Sequence, residues 1–279
     1  MPFTPTIPAS GLAGWNFLQL SIQSQTEIFN RSPDIQREVE YFTENIGSVE
    51  TLDDFISDRR LLRVSLGAFG LDDEINKGAL VRRILAEGTE DSSAFAVRLN
   101  NTNYLNYADT FRFDSEENFQ PPDGLVDQIL SQYHDLQFER ELDNVDPNLR
   151  LASNFQREIV NIAESASTER AGFFRVLGSE PLREVVETIF GLPSSFSQLD
   201  IDRQADILQE RTLRTFGSDS LDVFLDPDNV DRAIQRFFVQ RQIEEGPSAS
   251  TRGSTALTLL SSGGGLGSTG ITNLLLSNI

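Results

Sequence analysis

The stretch DRRLLRVSLGAFGL at residues 58–71 recurs, in looser form, as SEPLREVVETIFGL at residues 179–192. Both copies end in Phe-Gly-Leu and align without a gap. Each begins with a residue whose short side-chain oxygen can cap a first helical turn, Asp58 in one and Ser179 in the other. Each ends in a glycine that can adopt the left-handed conformation closing a helix. We therefore predict one capped, half-buried helix per copy and interpret Phe-Gly-Leu as a packing feature, with a docking motif as the alternative.

The apolar residues of both copies recur at steps of three and four, which places them on one helix face. They are Leu61, Leu62, Val64 and Ala68 in the first copy and Leu182, Val185, Val186 and Ile189 in the second. Similar helical patterns follow cap-and-proline pairs at residues 32–33, 146–147 and 226–227. Alternating strand patterns bounded by hairpin turns are hard to find. The sequence predicts an all-α protein with two related multi-helix repeats.

The chain divides into five predicted segments. Residues 1–31 form an extended segment and an amphipathic helix, 32–115 a first helical repeat, 116–146 a connecting segment, 147–245 a second helical repeat, and 246–279 a low-complexity tail. The tail is rich in serine, glycine and threonine, and residues of this kind do not offset the entropy of ordering by themselves. We predict that it is flexible.

Composition excludes several function classes. The net charge of -20 would repel a phosphate backbone, so nucleic-acid binding is not expected. The absence of cysteine excludes disulfides, thiolate catalysis and cysteine-ligated metals. No segment is long and apolar enough to span a bilayer, and the N-terminal residues lack the basic and apolar regions of a cleaved signal peptide. Twenty phenylalanines, against one tryptophan and four tyrosines, predict a phenylalanine-rich core.

Motifs for chemistry are weak. The glycines of GLGSTG at residues 265–270 match a dinucleotide fingerprint but lie in the tail, without the strand and helix that such a site needs. His134 is the single histidine and stands beside Asp135, with no nucleophile motif near it. The acidic runs do not complete a calcium loop. We predict no catalytic, cofactor-binding or metal-binding residues, and an enzyme remains the least favoured alternative.

The N-terminal helix carries the candidate contact surface. Trp15, Leu18, Ile22 and Phe29 form an apolar stripe whose opposite face is rich in glutamine and serine. The tail adds an apolar patch, LLL at residues 274–276 (Leu274, Leu275 and Leu276). These residues are the candidates for binding a partner or a second copy of the chain. The alternative for the helical stripe is packing within its own domain.

Three segments carry a resemblance to a known family. They are SGLAGWNFL at residues 10–18, FNRSPDIQREVEYFTENI at 29–46 and DDFISDRRLLRVSLGAFGLDDEINKG at 53–78. With them the chain resembles the alphaproteobacterial domain-of-unknown-function family 1217 over residues 11–242. Genes of this family tend to lie among flagellar genes, and some relatives are labelled flagellar basal-body rod proteins. The rod signature ANxxTxGY does not occur in residues 1–50.

The resemblance implies a bacterial, non-catalytic structural or assembly protein of the flagellum that needs no cofactor. Its expected partners are flagellar proteins or further copies of itself. Its expected location is the flagellum, or outside the cell after export without a cleaved signal. The alternative is a cytoplasmic helical adaptor or export chaperone that holds a partner helix between the two repeats.

Overall fold

Each copy of the repeated stretch forms a helix, α4 (Arg59–Gly67) and α11 (Glu180–Phe190). The Asp58 carboxylate caps α4 by accepting the backbone amides two and three residues later, at 2.9 and 3.1 Å. The side chain of Ser179 makes no such bond, so the predicted hydroxyl cap of α11 is wrong. Pro181 lies in the first turn of α11, where its fixed φ suits a helix and no amide donor is needed.

Both helices close in the predicted way. Gly70 and Gly191 have φ of 67° and 58°, the left-handed region that a side chain would strain. The backbone amides of Leu71 and Leu192 each donate a 2.9 Å hydrogen bond to the carbonyl oxygen five residues earlier. The apolar stripes of both copies are buried, which confirms the packing interpretation. Equivalence of the two larger repeats stays a prediction.

The computed structural model describes residues 3–99, 101–166 and 168–246. In addition to the two helices above, it contains α1 (Gly11–Asn30), α2 (Pro33–Asn45), α3 (Leu52–Ser57), α5 (Gly78–Glu87), α6 (Phe95–Arg98), α7 (Thr102–Thr110), β1 (Arg112–Phe113), β2 (Phe119–Gln120), α8 (Leu125–Asp143), α9 (Pro147–Ser165), α10 (Glu169–Gly178), α12 (Ile201–Phe216) and α13 (Pro227–Glu245). Short 3-10 turns occupy Ile46–Ser48, Asp72–Glu74, Ser194–Gln198 and Leu221–Leu225. The all-α prediction is confirmed. The tail, apart from Gly246, lies outside the described residues.

Packing sets the ends of two helices. Helix α7 ends at Thr110, because Arg112–Phe113 pairs antiparallel with Phe119–Gln120 beside a cluster of phenylalanine rings. Helix α8 continues to Asp143, and Leu142 in its last turn is fully buried.

Two hydrophobic cores share α8. The first core is built from α2 to α7, both strands and the N-terminal part of α8, which contributes Leu125, Ile129 and Tyr133. The second core is built from α1, α9 to α13 and the C-terminal part of α8, which contributes Phe138 and Leu142. The segment interpreted as a connection between repeats is therefore a structural helix of both cores.

The N-terminal segment belongs to the second core, although it precedes the first in the chain. Phe3 contacts the rings of Phe29 and Phe138, with centroids 5.4 and 6.2 Å apart. Residues 3–10 are extended, as predicted, and cross α1 at Gly14, where a Cβ atom would come within 2.2 Å of the Ala9 carbonyl oxygen. Glycine is required there because two backbones touch.

Candidate functional site

The predicted contact stripe of α1 is mostly part of the second core. Trp15, Leu18 and Phe29 are 3%, 0% and 4% exposed, and Ile22 is half-buried against the same core. The structure therefore supports the packing alternative, because these side chains cannot reach a partner while α1 stays in place. Leu274, Leu275 and Leu276, and the glycines of residues 265–270, lie outside the described residues.

A central cleft of about 750 Å³ lies between the two cores. Its floor is formed by one face each of α8 and α9. The first core supplies one wall, from residues 68–73 and 102–110, and the second core supplies the other, from residues 175–182. The end of the first copy of the repeated stretch and the start of the second therefore face the same space. Ligand sites commonly form at such junctions between cores.

The floor consists of two polar stripes with identical spacing. On α8 the stripe is Gln128, Gln132, Asp135, Glu139 and Asp143, and on α9 it is Arg150, Asn154, Arg157, Asn161 and Ser165. Both follow steps of four, three, four and four, so each lies on one helix face. The two helices are antiparallel neighbours joined by a short turn. The stripes therefore face each other along the length of the cleft.

Ion pairs hold the floor together at the end nearest this turn. The Arg157 guanidinium donates to the Glu139 carboxylate at 3.0 Å and contacts Glu158. Arg150 lies 3.5 Å from Asp143. Burial raises the pKa of Glu139, and the charge of Arg157 opposes this rise. Glu139 is buried and Arg157 is partly exposed, so the carboxylate depends on this ion pair more than the guanidinium does.

Asp135 occupies the middle of the floor and differs from its neighbours. Its side chain is solvent-accessible and has no hydrogen bond or ion pair within the described chain. The surrounding protein nevertheless raises its pKa through desolvation, against the opposing charges of Arg157 and His134. An unpaired carboxylate with a perturbed pKa inside a cleft is a candidate functional group.

The walls differ in charge. The first-core wall carries Asp72, Asp73 and Asp109, and both ends of α7 lie along it. The second-core wall carries Arg175 near the C-terminus of α10, and the N-terminus of α11. The first-core wall is thus the more negative one, and carboxylates outnumber arginines in the cleft as a whole.

His134 lies one residue from Asp135 but does not line the cleft. Its buried Nε2 atom has no hydrogen-bond partner in the described residues. Desolvation lowers the pKa of His134, opposed by the charge of Asp135. Across residues 3–99, 101–166 and 168–246 no group of three or more His, Asp or Glu side chains could hold a metal ion.

The sequence reasoning missed the cleft and Asp135 as a cleft residue. The signal available was the matched spacing of the two polar stripes. The two stripes face each other because α8 packs against α9, and the spacing of residues within one helix does not show that pairing. Within the part of the chain that the structure describes, no helix is long and apolar enough to cross a membrane.

One solved structure has a similar fold over most of both chains. It is the X-ray crystal structure of protein AGR_C_984 from Agrobacterium tumefaciens, with a TM-score of 0.68 and 25% sequence identity, covering 88% of this chain and 100% of that one. No curated protein matches the chain.

The family comparison agrees with the resemblance noted in the sequence. The model of the family described as "Protein of unknown function (DUF1217)" matches residues 68–230. This range includes all of α8 and α9 and every residue named above in the floor and walls of the cleft. The chain belongs to the DUF1217 family.

Proposed function

We propose that this protein is a non-catalytic, flagellum-associated structural or assembly factor that works by binding partner proteins in its central cleft. The observation that carries the proposal is the cleft itself, which is open to solvent, polar, and lined by both cores. The flagellar context comes from the family resemblance. A protein that recognises partners through such a cleft needs two rigid halves held at a fixed distance, and α8 supplies that connection because it is packed into both cores.

The composition of the cleft favours binding over catalysis. Its lining combines carboxylates, arginines and side-chain amides, which suit recognition of polar groups. In the described chain, none of the hydroxyls that line the cleft is hydrogen-bonded to a general base in the arrangement that activates a nucleophile. The single histidine, His134, does not line the cleft.

A cytoplasmic adaptor or export chaperone is the second candidate. It is favoured by the position of the cleft, because a partner segment bound there would be held between the two halves. The polar lining indicates a polar partner segment and argues against an apolar helix face, which would leave these groups without hydrogen bonds.

The first experiment separates the two candidates. An immunoblot for the chain would compare cytoplasm, purified hook-basal bodies and culture medium, in cells with and without a working flagellar export gate. The structural or assembly role predicts a signal in basal bodies or medium that depends on the gate. A cytoplasmic control protein must stay in the cytoplasm in both strains. A signal confined to the cytoplasm in both strains contradicts an exported component and places the adaptor first.

A further inference from the structure

Helix α1 has a second face without charges, opposite the face that is buried in the second core. Phe17, Leu20 and Ile28 on this face are 38%, 90% and 59% exposed, and the small residues Ala13 and Ser24 are exposed beside them. The five residues recur at steps of three and four, so they form one stripe along the helix. A helix that is apolar on opposite sides is normally covered on both. We call these five residues the outer face of α1.

The outer face lies in an uncharged part of a strongly acidic protein. Residues 11–26 contain no charged side chain, although 24% of the whole chain is charged and the net charge is -20. The first charges of the helix come at its end, where Glu27 lies 3.7 Å from Arg31. A segment that covers this face therefore contacts it through apolar side chains. An acidic segment would be repelled by the rest of the protein.

The size of the outer face favours a cover that is tethered to the same chain. From Ala13 to Ile28 the face is about 24 Å long, at about 1.5 Å per residue, and a helix is about 10 Å wide. It can bury only about 240 Å², whereas stable complexes bury about 800 Å² on each partner. A tethered segment needs less area, because the tether gives it an effective concentration on the order of millimolar.

The tail supplies an uncharged apolar segment that starts close to α1. Residues 247–279 lie outside the described residues, and their sequence has no acidic side chain and one basic one, Arg252. Within them, the sequence ITNLLLSNI at 271–279 is the most apolar stretch. The tail follows α13, which packs against α1 through Phe238 and ends about two turns later. Residues 247–270 can span at most about 80 Å, which exceeds the length of α1.

We propose that residues 271–279 of the tail bind the outer face of α1 in the same chain, where Leu274, Leu275 and Leu276 cover Leu20. The outer face is then a docking surface that the chain closes itself, and a partner gains access to it when the tail is released. Release is a local equilibrium that leaves both cores folded. The inference rests neither on the central cleft nor on a flagellar location, so its failure is separate from failure of the proposed function.

The experiment measures paramagnetic broadening of amide signals in the full isotope-labelled chain. Because the chain has no cysteine, Ser277→Cys provides a single attachment point for a nitroxide. We expect residues 13–28 to lose signal intensity relative to α5 in the first core, and to regain it when the nitroxide is reduced. A second sample mixes nitroxide-bearing chains without isotope and isotope-labelled chains without nitroxide. Only a contact between two copies broadens signals in that mixture.

Leu20→Asp is the decisive variant, because Leu20 is 90% exposed and its replacement leaves both cores intact. Docking of the tail would desolvate the new carboxylate without a partner for it, so the broadening of residues 13–28 should be lost. Leu213→Asp is the matched control, since Leu213 is 48% exposed on α12 and its replacement adds the same charge. It should leave the broadening unchanged.

Each outcome decides the matter. Broadening of residues 13–28 that is lost in Leu20→Asp, kept in Leu213→Asp and absent from the mixed sample supports the proposal. No broadening, broadening that persists in Leu20→Asp, or loss in both variants overturns it. Equal broadening in the mixed sample also overturns it, because the tail that covers α1 would then belong to a second copy.

Discussion

Replacing Leu18 by alanine tests whether the stripe on α1 is core or contact surface. Leu18 is fully buried in the second core, so its removal leaves a cavity among side chains that close around α1. Leucine-to-alanine changes at such sites lower the free energy of unfolding by about 2–5 kcal/mol. Urea denaturation followed by far-ultraviolet circular dichroism would measure this loss as an earlier midpoint.

Leu20→Ala is the matched control on the same helix. Leu20 is 90% exposed, so its truncation should change the free energy of unfolding by less than about 0.5 kcal/mol. The reasoning is refuted if both variants unfold at the wild-type midpoint. It is also refuted if Leu18→Ala keeps full stability and loses a partner instead, because the side chain would then act on the surface.

Three further predictions concern packing, a buried charge pair and titration. Gly67→Ala should lower the free energy of unfolding by about 1–3 kcal/mol, because its Cβ would lie 2.9 Å from side-chain atoms of α8. Gly78→Ala, which has open space around its Cβ, should be neutral or stabilising in the same urea assay. Equal midpoints for the two variants would contradict this close contact. Glu139→Ala should cost about 2 kcal/mol, because it removes a charged hydrogen bond while Arg157 keeps its contact with Glu158. Glu139→Gln should cost less. Thermal unfolding measures both, and the reverse order would count against the pair. Burial and a hydrogen bond to the Glu74 carboxylate raise the pKa of Tyr104 to about 12, so tyrosinate absorbance should stay low near pH 10. Because this pKa is higher in the folded than in the unfolded chain, the free energy of unfolding should fall as the pH rises above about 10. A Tyr104 titration at the ordinary pKa in the folded protein would disprove the burial.

Much of the fold follows from short-range signals. Helix α4 begins after the carboxylate cap Asp58, and the left-handed Gly70 closes the turn that follows it. Both signals act within a few residues, so the sequence alone predicts them. The same holds for Asp146 and Asp226, whose carboxylates accept the amides two residues later, as the cap-and-proline pattern predicts.

Helix α10 was not predicted, and its sequence explains why. Gly172 stands within it and reads as a helix breaker, although Thr168 caps its start by accepting an amide at 3.1 Å. A Cβ at Gly172 would lie 2.9 Å from the Leu221 side chain. The glycine is there for a close contact with a residue far along the chain, which local propensity cannot indicate.

The candidate site depends on contacts of the same long-range kind. The acidic residues at the C-terminal end of α8 fall in the segment predicted as a connection between the repeats, because their composition is typical of a loop. They belong to a helix since Leu142 enters the second core and Glu139 meets Arg157 on α9. Sequence showed the polar residues of the cleft, but only the pairing of two helices shows that they face each other.

The contact of α1 with α13 sets an order of events during synthesis. Trp15 lies 6.0 Å from Phe238 between ring centroids, so the second core includes a contact between two helices far apart in the chain. The first core contains residues 42–133 and can assemble while the rest of the chain is still being made. Helix α1 can pack on α8 and α9 before α13 is made, and its packing is complete only when α13 is present.

The same packing has a consequence for the stability of the two halves. Detachment of α1 would expose Trp15, Leu18 and Phe29 together, because all three belong to the second core. None of them belongs to the first core, so its apolar side chains would stay covered.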